Sequence, residues 1–371
     1  MQQPFYLLEQ PRQLIRYFTP NWFTVNMGTG VVALLLSESP LMTAYCWELA
    51  RLLWLANIGL FILFSVLYSL RWLFYPHEAK QIFQHSSMAF FFGAIPMGLA
   101  TIINGLVKFM PQHLVLAEFL WGVDVILAVI VAVGVPMLMF VYQQHQLNTM
   151  TAIWLLPIVT AEVVASSGGV LLAHLPADQT AVNLLFGCYV LWGMSVLPAF
   201  AVLTILLLRL ALHRLPEAQM AMSMCLALGP IGTGALALLL LGQQAPRILT
   251  TYHLAELGNL MHYAGIWISL ILLGFGLWWL AIALFTIYRY SRTGLSFNLG
   301  WWGLTFPLGV FDLAILNLAQ QIQSYVLFYI GLGFAGCIVL LWGMVMLKTI
   351  QGAYRGSLFF SPCLMTMLEK S

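Results

Sequence analysis

The chain has 371 residues, of which 62% are hydrophobic and 7% charged, with a formal net charge of +2. A soluble domain carries roughly 25% charged residues, so too few charges are present to cover a water-facing surface. The near-neutral balance points to neither a nucleic-acid nor an acidic partner.

Residues 1–21 read as a short cytoplasmic segment, too polar for a signal peptide and carrying Arg12 and Arg16 ahead of the first apolar run. Ten spans are expected at about 22–38, 49–74, 88–107, 117–142, 151–172, 182–210, 219–241, 256–287, 300–318 and 325–348. Each approaches the ~20 residues needed to cross ~30 Å of hydrocarbon as a helix. Runs such as Leu52–Leu70 are apolar on every face, which excludes the alternation of a membrane barrel. The fold class is therefore all-α, an integral membrane protein with a pore domain over 22–348 and a cytoplasmic tail over 349–371. Eleven Lys and Arg fall on the side of the termini and three, Arg51, Lys108 and Arg247, on the other, which predicts cytoplasmic termini.

A short pattern recurs in every second span: Ile95-Pro96-Met97-Gly98, Leu156-Pro157-Ile158-Val159, Gly229-Pro230-Ile231-Gly232 and Phe306-Pro307-Leu308-Gly309, with Val25-Asn26-Met27-Gly28 in the first. The anchors lie about two helices apart, which reads as five helical hairpins in series. Equivalent hairpins pack most simply as a quasi-fivefold ring, odd-numbered helices inside, enclosing a central pore. Pro96, Pro157, Pro230 and Pro307 are expected to kink the inner helices at one level and set a waist. The inner spans also carry small and polar residues. Asn26, Thr29, Thr101, Asn104, Thr160, Thr233 and Thr305 are candidates to line the path, together with Ser166, Ser167 and Asn317, although small residues serve equally for close helix packing.

Ionisable groups inside a membrane are costly and are functional candidates by default. Glu162 and Asp312 each follow their repeat's proline by five residues, so the symmetry points them alike relative to the axis. A carboxyl that takes up a proton beside the path would allow proton-coupled passage of an anion; a hydrogen bond to a neighbouring helix is the structural alternative. Asp124 and His262 lie on outer spans, where packing is the expected role. Glu256, Asn259 and His262 form a polar run at the start of span eight that suits either a vestibule or a polar entry into the membrane. No His-Glu-x-x-His motif, paired-Asp or Ser–His constellation marks an enzyme, a metal site or a catalytic residue, and no cofactor is expected.

The stretches Phe18–Gly30 (FTPNWFTVNMGTG), Trp154–Val159 (WLLPIV), Trp301–Gly309 (WWGLTFPLG) and Gly352–Cys363 (GAYRGSLFFSPC) resemble the tellurite-resistance/dicarboxylate transporter family of malic acid permeases, sulfite efflux pumps and slow anion channels. The resemblance implies ten helices as five hairpins around a pore, a homotrimer in the plasma membrane, and a phenylalanine on the ninth helix that plugs the pore. Phe306 matches that position; read alone, it is equally a packing aromatic. The function it implies is passage of small anions, C4-dicarboxylates such as malate first and sulfite or tellurite oxyanions second.

Overall fold

The computed structural model describes residues 4–38, 44–292 and 294–360. Its long helices are α1 (Thr24–Glu38), α2 (Ala44–Phe74), α3 (Ala94–Phe109), α4 (Leu114–Val141), α5 (Leu155–Leu172), α6 (Gln179–His213), α7 (Leu228–Thr250), α8 (Ala255–Ser291), α9 (Phe306–Gln321) and α10 (Tyr325–Arg355). Among the described residues, nine are long and apolar enough to cross a membrane, once the 3₁₀ turns leading into α3, α5, α7 and α9 are included. The tenth, α1, is helical where expected but lies outside that set. Thirteen of its fifteen residues are buried, including Asn26 and Thr29, so neighbouring helices rather than lipid surround its polar groups.

The two sets of helices differ in burial. In their most apolar stretches α3, α5, α7 and α9 are 72–89% buried, whereas the even-numbered helices are 17–33% buried. Contacts between odd-numbered helices run α1–α3, α3–α5, α5–α7, α7–α9 and α9–α1. Each even-numbered helix touches its own hairpin partner and the next odd-numbered helix, and α10 returns to α1. Glycines permit this close approach. A Cβ on Gly232 would lie 2.6 Å from the Phe311 Cα, one on Gly309 2.7 Å from Val31, and one on Gly169 2.8 Å from Leu240. Gly30 on Thr101 and Gly93 on the Leu156 carbonyl are tighter still. Small residues that bring backbones together are how helices associate where lipid offers no hydrophobic drive.

The expected proline kinks take a different form. Each of Pro96, Pro157, Pro230 and Pro307 stands in the first α-helical turn, directly after the 3₁₀ segments Met88–Gly93, Ala152–Trp154, Ala218–Ala227 and Leu299–Leu304. In that turn a proline has no intrahelical N–H bond to lose, so it marks a junction between helix types and does not interrupt an α-helix. Prolines inside helices are Pro136, Pro198 and Pro246. The seventh span also runs past its expected end to Thr250, because Arg247 donates to the Leu172 and Leu175 carbonyls at the end of α5. Helix α10 continues to Arg355 and stops at Gly356, whose φ of 87° suits glycine. The Phe5 N–H donates to the Tyr354 carbonyl, so both described ends lie at one face of the bundle. The last residues of the tail motif, 361–363, and Lys370 lie outside the described residues.

Candidate functional site

Two cavities are each lined by all five odd-numbered helices. The first is a waist of about 10 Å³ bounded by Met27, Met97, Val159, Gly229 and Phe306, with Leu155, Leu156, Leu226 and Pro307 beside them. Its lining is apolar, it holds one water at most, and Phe306 is its one aromatic ring. It sits at the level of the 3₁₀-to-α junctions. Such a lining gives an anion no replacement for its water.

The second cavity, of about 90 Å³, is lined by Leu34, Asn104, Ser166, Leu236 and Leu313 and, farther on, by Glu38, Lys108, Val170, Leu240 and Asn317. These residues keep one register. From the waist to the middle ring, every odd-numbered helix advances seven residues, and from there to the mouth four more. At 1.5 Å per residue the steps are about 10 Å and 6 Å. Seven residues are close to two turns, so one face of each helix looks inward throughout. This cavity opens toward the face opposite the chain ends, and among the described residues Lys108 is its one basic lining residue, paired with Glu38.

Of the polar residues expected along the path, Asn104 lines the wider cavity, with Ser166 and Asn317. The others turn elsewhere. Asn26 donates to the Asn57 carbonyl on α2 at 3.1 Å, and Thr101 accepts from the Asn57 amide. Thr29 accepts from the Trp342 indole, and Thr160 donates to the Ala128 carbonyl. Thr305 donates to the Trp302 carbonyl beside Gly28. Thr233 is buried with no hydrogen-bond partner among the described residues. The physical reason is that a polar group on the outer face of an inner helix can serve the backbone or side chains of the outer layer, whereas the waist is kept dry.

The acids also face away from the cavities. Glu162 is fully buried, close to Gly234 of α7, beside which the Trp192 indole of α6 also stands. Asp312 is fully buried beside Gly331 of α10. The Ser195 hydroxyl of α6 stands at the Glu162 carboxylate, Asp312 and Asp124 have no hydrogen-bond partner among the described residues, and none of the three lines either cavity. Glu162 and Asp312 each stand against a neighbouring helix, at Gly234 of α7 and Gly331 of α10. Glu256 and Asn259 are exposed on the outer helix α8, with His262 half-buried, and no described group of three His, Cys, Asp or Glu could hold a metal ion. Phe311, the neighbouring phenylalanine of α9, packs outward on Gly232, Gly276 and Phe334, which leaves Phe306 as the ring at the waist.

A set of tryptophans escaped the sequence reading. Trp54, Trp121 and Trp192 donate at 3.0 Å to the Ile102, Val164 and Gly234 carbonyls, each from an even-numbered helix to the next odd one. Trp342 makes the corresponding link from α10 to α1. A second set joins the far ends of the outer helices to the connections that lead into their inner partners: Arg71 to the Phe18 carbonyl, Gln143 to Phe83, Arg209 to Asn148 and Tyr290 to Pro216. Spacings of 53, 60, 61 and 74 residues show the hairpin repeat, but the donors differ too much in kind for the pattern to be read in one sequence.

Comparison with known proteins agrees with this architecture. The sequence profile of the family described as "Voltage-dependent anion channel" (SLAC1) matches residues 17–350. A sulfite efflux pump of Arthroderma otae is 36% identical over 352 residues, covering 93% of each chain. An uncharacterised transporter of Methanocaldococcus jannaschii is 28% identical over 93% of this chain and 97% of its own. The malic acid transport protein of Schizosaccharomyces pombe is 22% identical over 84% of this chain and 73% of its own. With this match over nine-tenths of its length and its membrane-spanning helices, the chain is an integral membrane protein that belongs to the voltage-dependent anion channel family, whose members are anion transporters and channels.

Proposed function

We propose that this protein passes small oxyanions of the sulfite type through the centre of its five odd-numbered helices, with Phe306 closing the path at rest. The observation that carries the reading is the dry waist of about 10 Å³ shared by all five helices, with a wider, partly polar cavity two helical turns beyond it. Sulfite is favoured because relatives at 35–36% identity are sulfite efflux pumps. A second argument is shape: the wider cavity has one ammonium, Lys108, which a compact oxyanion can meet with all its charge, while a C4-dicarboxylate carries its charge on two separated groups. C4-dicarboxylate passage is the second reading, supported by the more distant malic acid transport protein.

The Lys and Arg imbalance favours both termini in the cytoplasm, so that the wider cavity opens outward. The outer helices expose long apolar faces suited to lipid and to neighbouring copies, as in a homotrimer. Uptake of labelled sulfite into proteoliposomes, with malate as competitor, tests the substrate. Saturable sulfite uptake that malate does not block is the expected result; uptake of malate but not sulfite would transfer the assignment to the second reading.

A further inference from the structure

Lys108 and Glu38 stand on adjacent inner helices at the mouth of the wider cavity, and their side chains form an ion pair. Both remain partly accessible, at 22% and 38%. Three amides, Asn104, Asn317 and Gln320, and the Ser166 hydroxyl complete the polar part of the wall. The Asn104 Oδ1 accepts from the Ser167 hydroxyl, and the Asn317 Oδ1 accepts from the Gln321 amide at 2.7 Å. Each carbonyl already accepts one hydrogen bond and neither NH₂ donates one among the described residues, so both asparagines hold free donors suited to an oxyanion. The cavity has room for about six water-sized spheres, enough for a small oxyanion with part of its hydration.

We propose that this mouth is an anion-binding site in which Glu38 is a built-in competitor: it neutralises Lys108 when the site is empty, and an incoming oxyanion displaces it. The inference rests on the anion-transport reading and adds the residues that select the substrate. An ammonium is a point charge with three donors, so it can exchange one oxygen partner for another without a fixed geometry. A lone lysine facing the cavity would hold an anion tightly and slow its release. Pairing it with a carboxylate weakens the hold, which suits a site that must empty as readily as it fills. A dianion with two separated carboxylates would find one ammonium and only neutral amides and a hydroxyl for its second charge, so the site favours a compact oxyanion.

The test is calorimetric titration of sulfite into the purified full-length protein, for wild type, Lys108→Gln, Lys108→Arg, Glu38→Gln and the Lys108→Gln/Glu38→Gln double variant. Folding is checked by size exclusion and thermal unfolding. Lys108→Gln is expected to weaken binding several-fold, Lys108→Arg to retain it and Glu38→Gln to tighten it. In the double variant, Glu38→Gln is expected to lose its benefit, because no ammonium remains to be released. Unchanged affinity in folded Lys108→Gln, weaker binding in Glu38→Gln, or no sulfite binding by wild type would overturn the proposal. Binding is read without transport, so sulfite binding with the expected variant pattern in a protein that carries no anion would uphold this site while refuting the transport reading.

Discussion

The Trp342 indole donates a 3.2 Å hydrogen bond to the Thr29 hydroxyl, joining the last long helix to the first across 313 residues. It repeats the links made by Trp54, Trp121 and Trp192 and completes the circuit of contacts between outer and inner helices. Interhelical hydrogen bonds of this kind contribute about 0.6 kcal/mol and at most about 1.7 kcal/mol in membrane proteins. Trp342→Phe, which keeps most of the packing, is expected to lower stability in detergent by that amount without abolishing the fold. Equilibrium unfolding checks it; no loss of stability would mean that packing alone closes the circuit.

Gly232 offers a sharper test of packing, since the atom that a new Cβ would meet at 2.6 Å is the Phe311 Cα. A backbone cannot swing aside as a side chain does. Gly232→Val is therefore expected to cost about 1–3 kcal/mol or more through overpacking, seen as reduced yield of monodisperse protein. By contrast, Gly229, which has open space around it and borders the waist, is expected to accept Ala with little effect on yield but with altered flux. Equal yields for the two variants would contradict the close α7–α9 contact.

Much of the architecture is legible in the sequence. Helix lengths, the division into odd and even spans and the five anchors follow from apolar runs and from where Pro, Gly and Asn recur. The inward face is harder to read. Asn26 and Met27 are neighbours, yet about 100° of helical rotation sends Asn26 to Asn57 on the outer layer and leaves Met27 at the waist. In a soluble helix, polarity marks the outward face; in these inner helices both faces are buried, and the polar residue takes whichever side offers a partner. The seven-residue register from Met27 to Leu34, Met97 to Asn104 and Phe306 to Leu313 is hidden for a related reason. The residues at matching positions vary in kind, Met, Val, Gly and Phe at the waist and Leu, Asn and Ser beyond it, so only the folded structure aligns them.

Glu162 and Asp312 test how far orientation governs role. Both are buried against neighbouring helices and neither borders a cavity. Glu162→Gln and Asp312→Asn are accordingly expected to preserve sulfite uptake and its response to an imposed proton gradient. Uptake with and without the gradient is the measurement, and loss of the gradient response in either folded variant would restore that acid to proton coupling.

The central claim is that Phe306 closes a path through the five inner helices. Sulfite flux in proteoliposomes holding equal amounts of folded wild type, Phe306→Ala and Phe311→Ala addresses it most directly. A several-fold rise is expected for Phe306→Ala, which opens the waist, and no such rise for Phe311→Ala, which removes a ring facing the outer layer. Unchanged or lower flux in folded Phe306→Ala would contradict it, and equal increases in both variants would trace the effect to loosened packing and not to a gate.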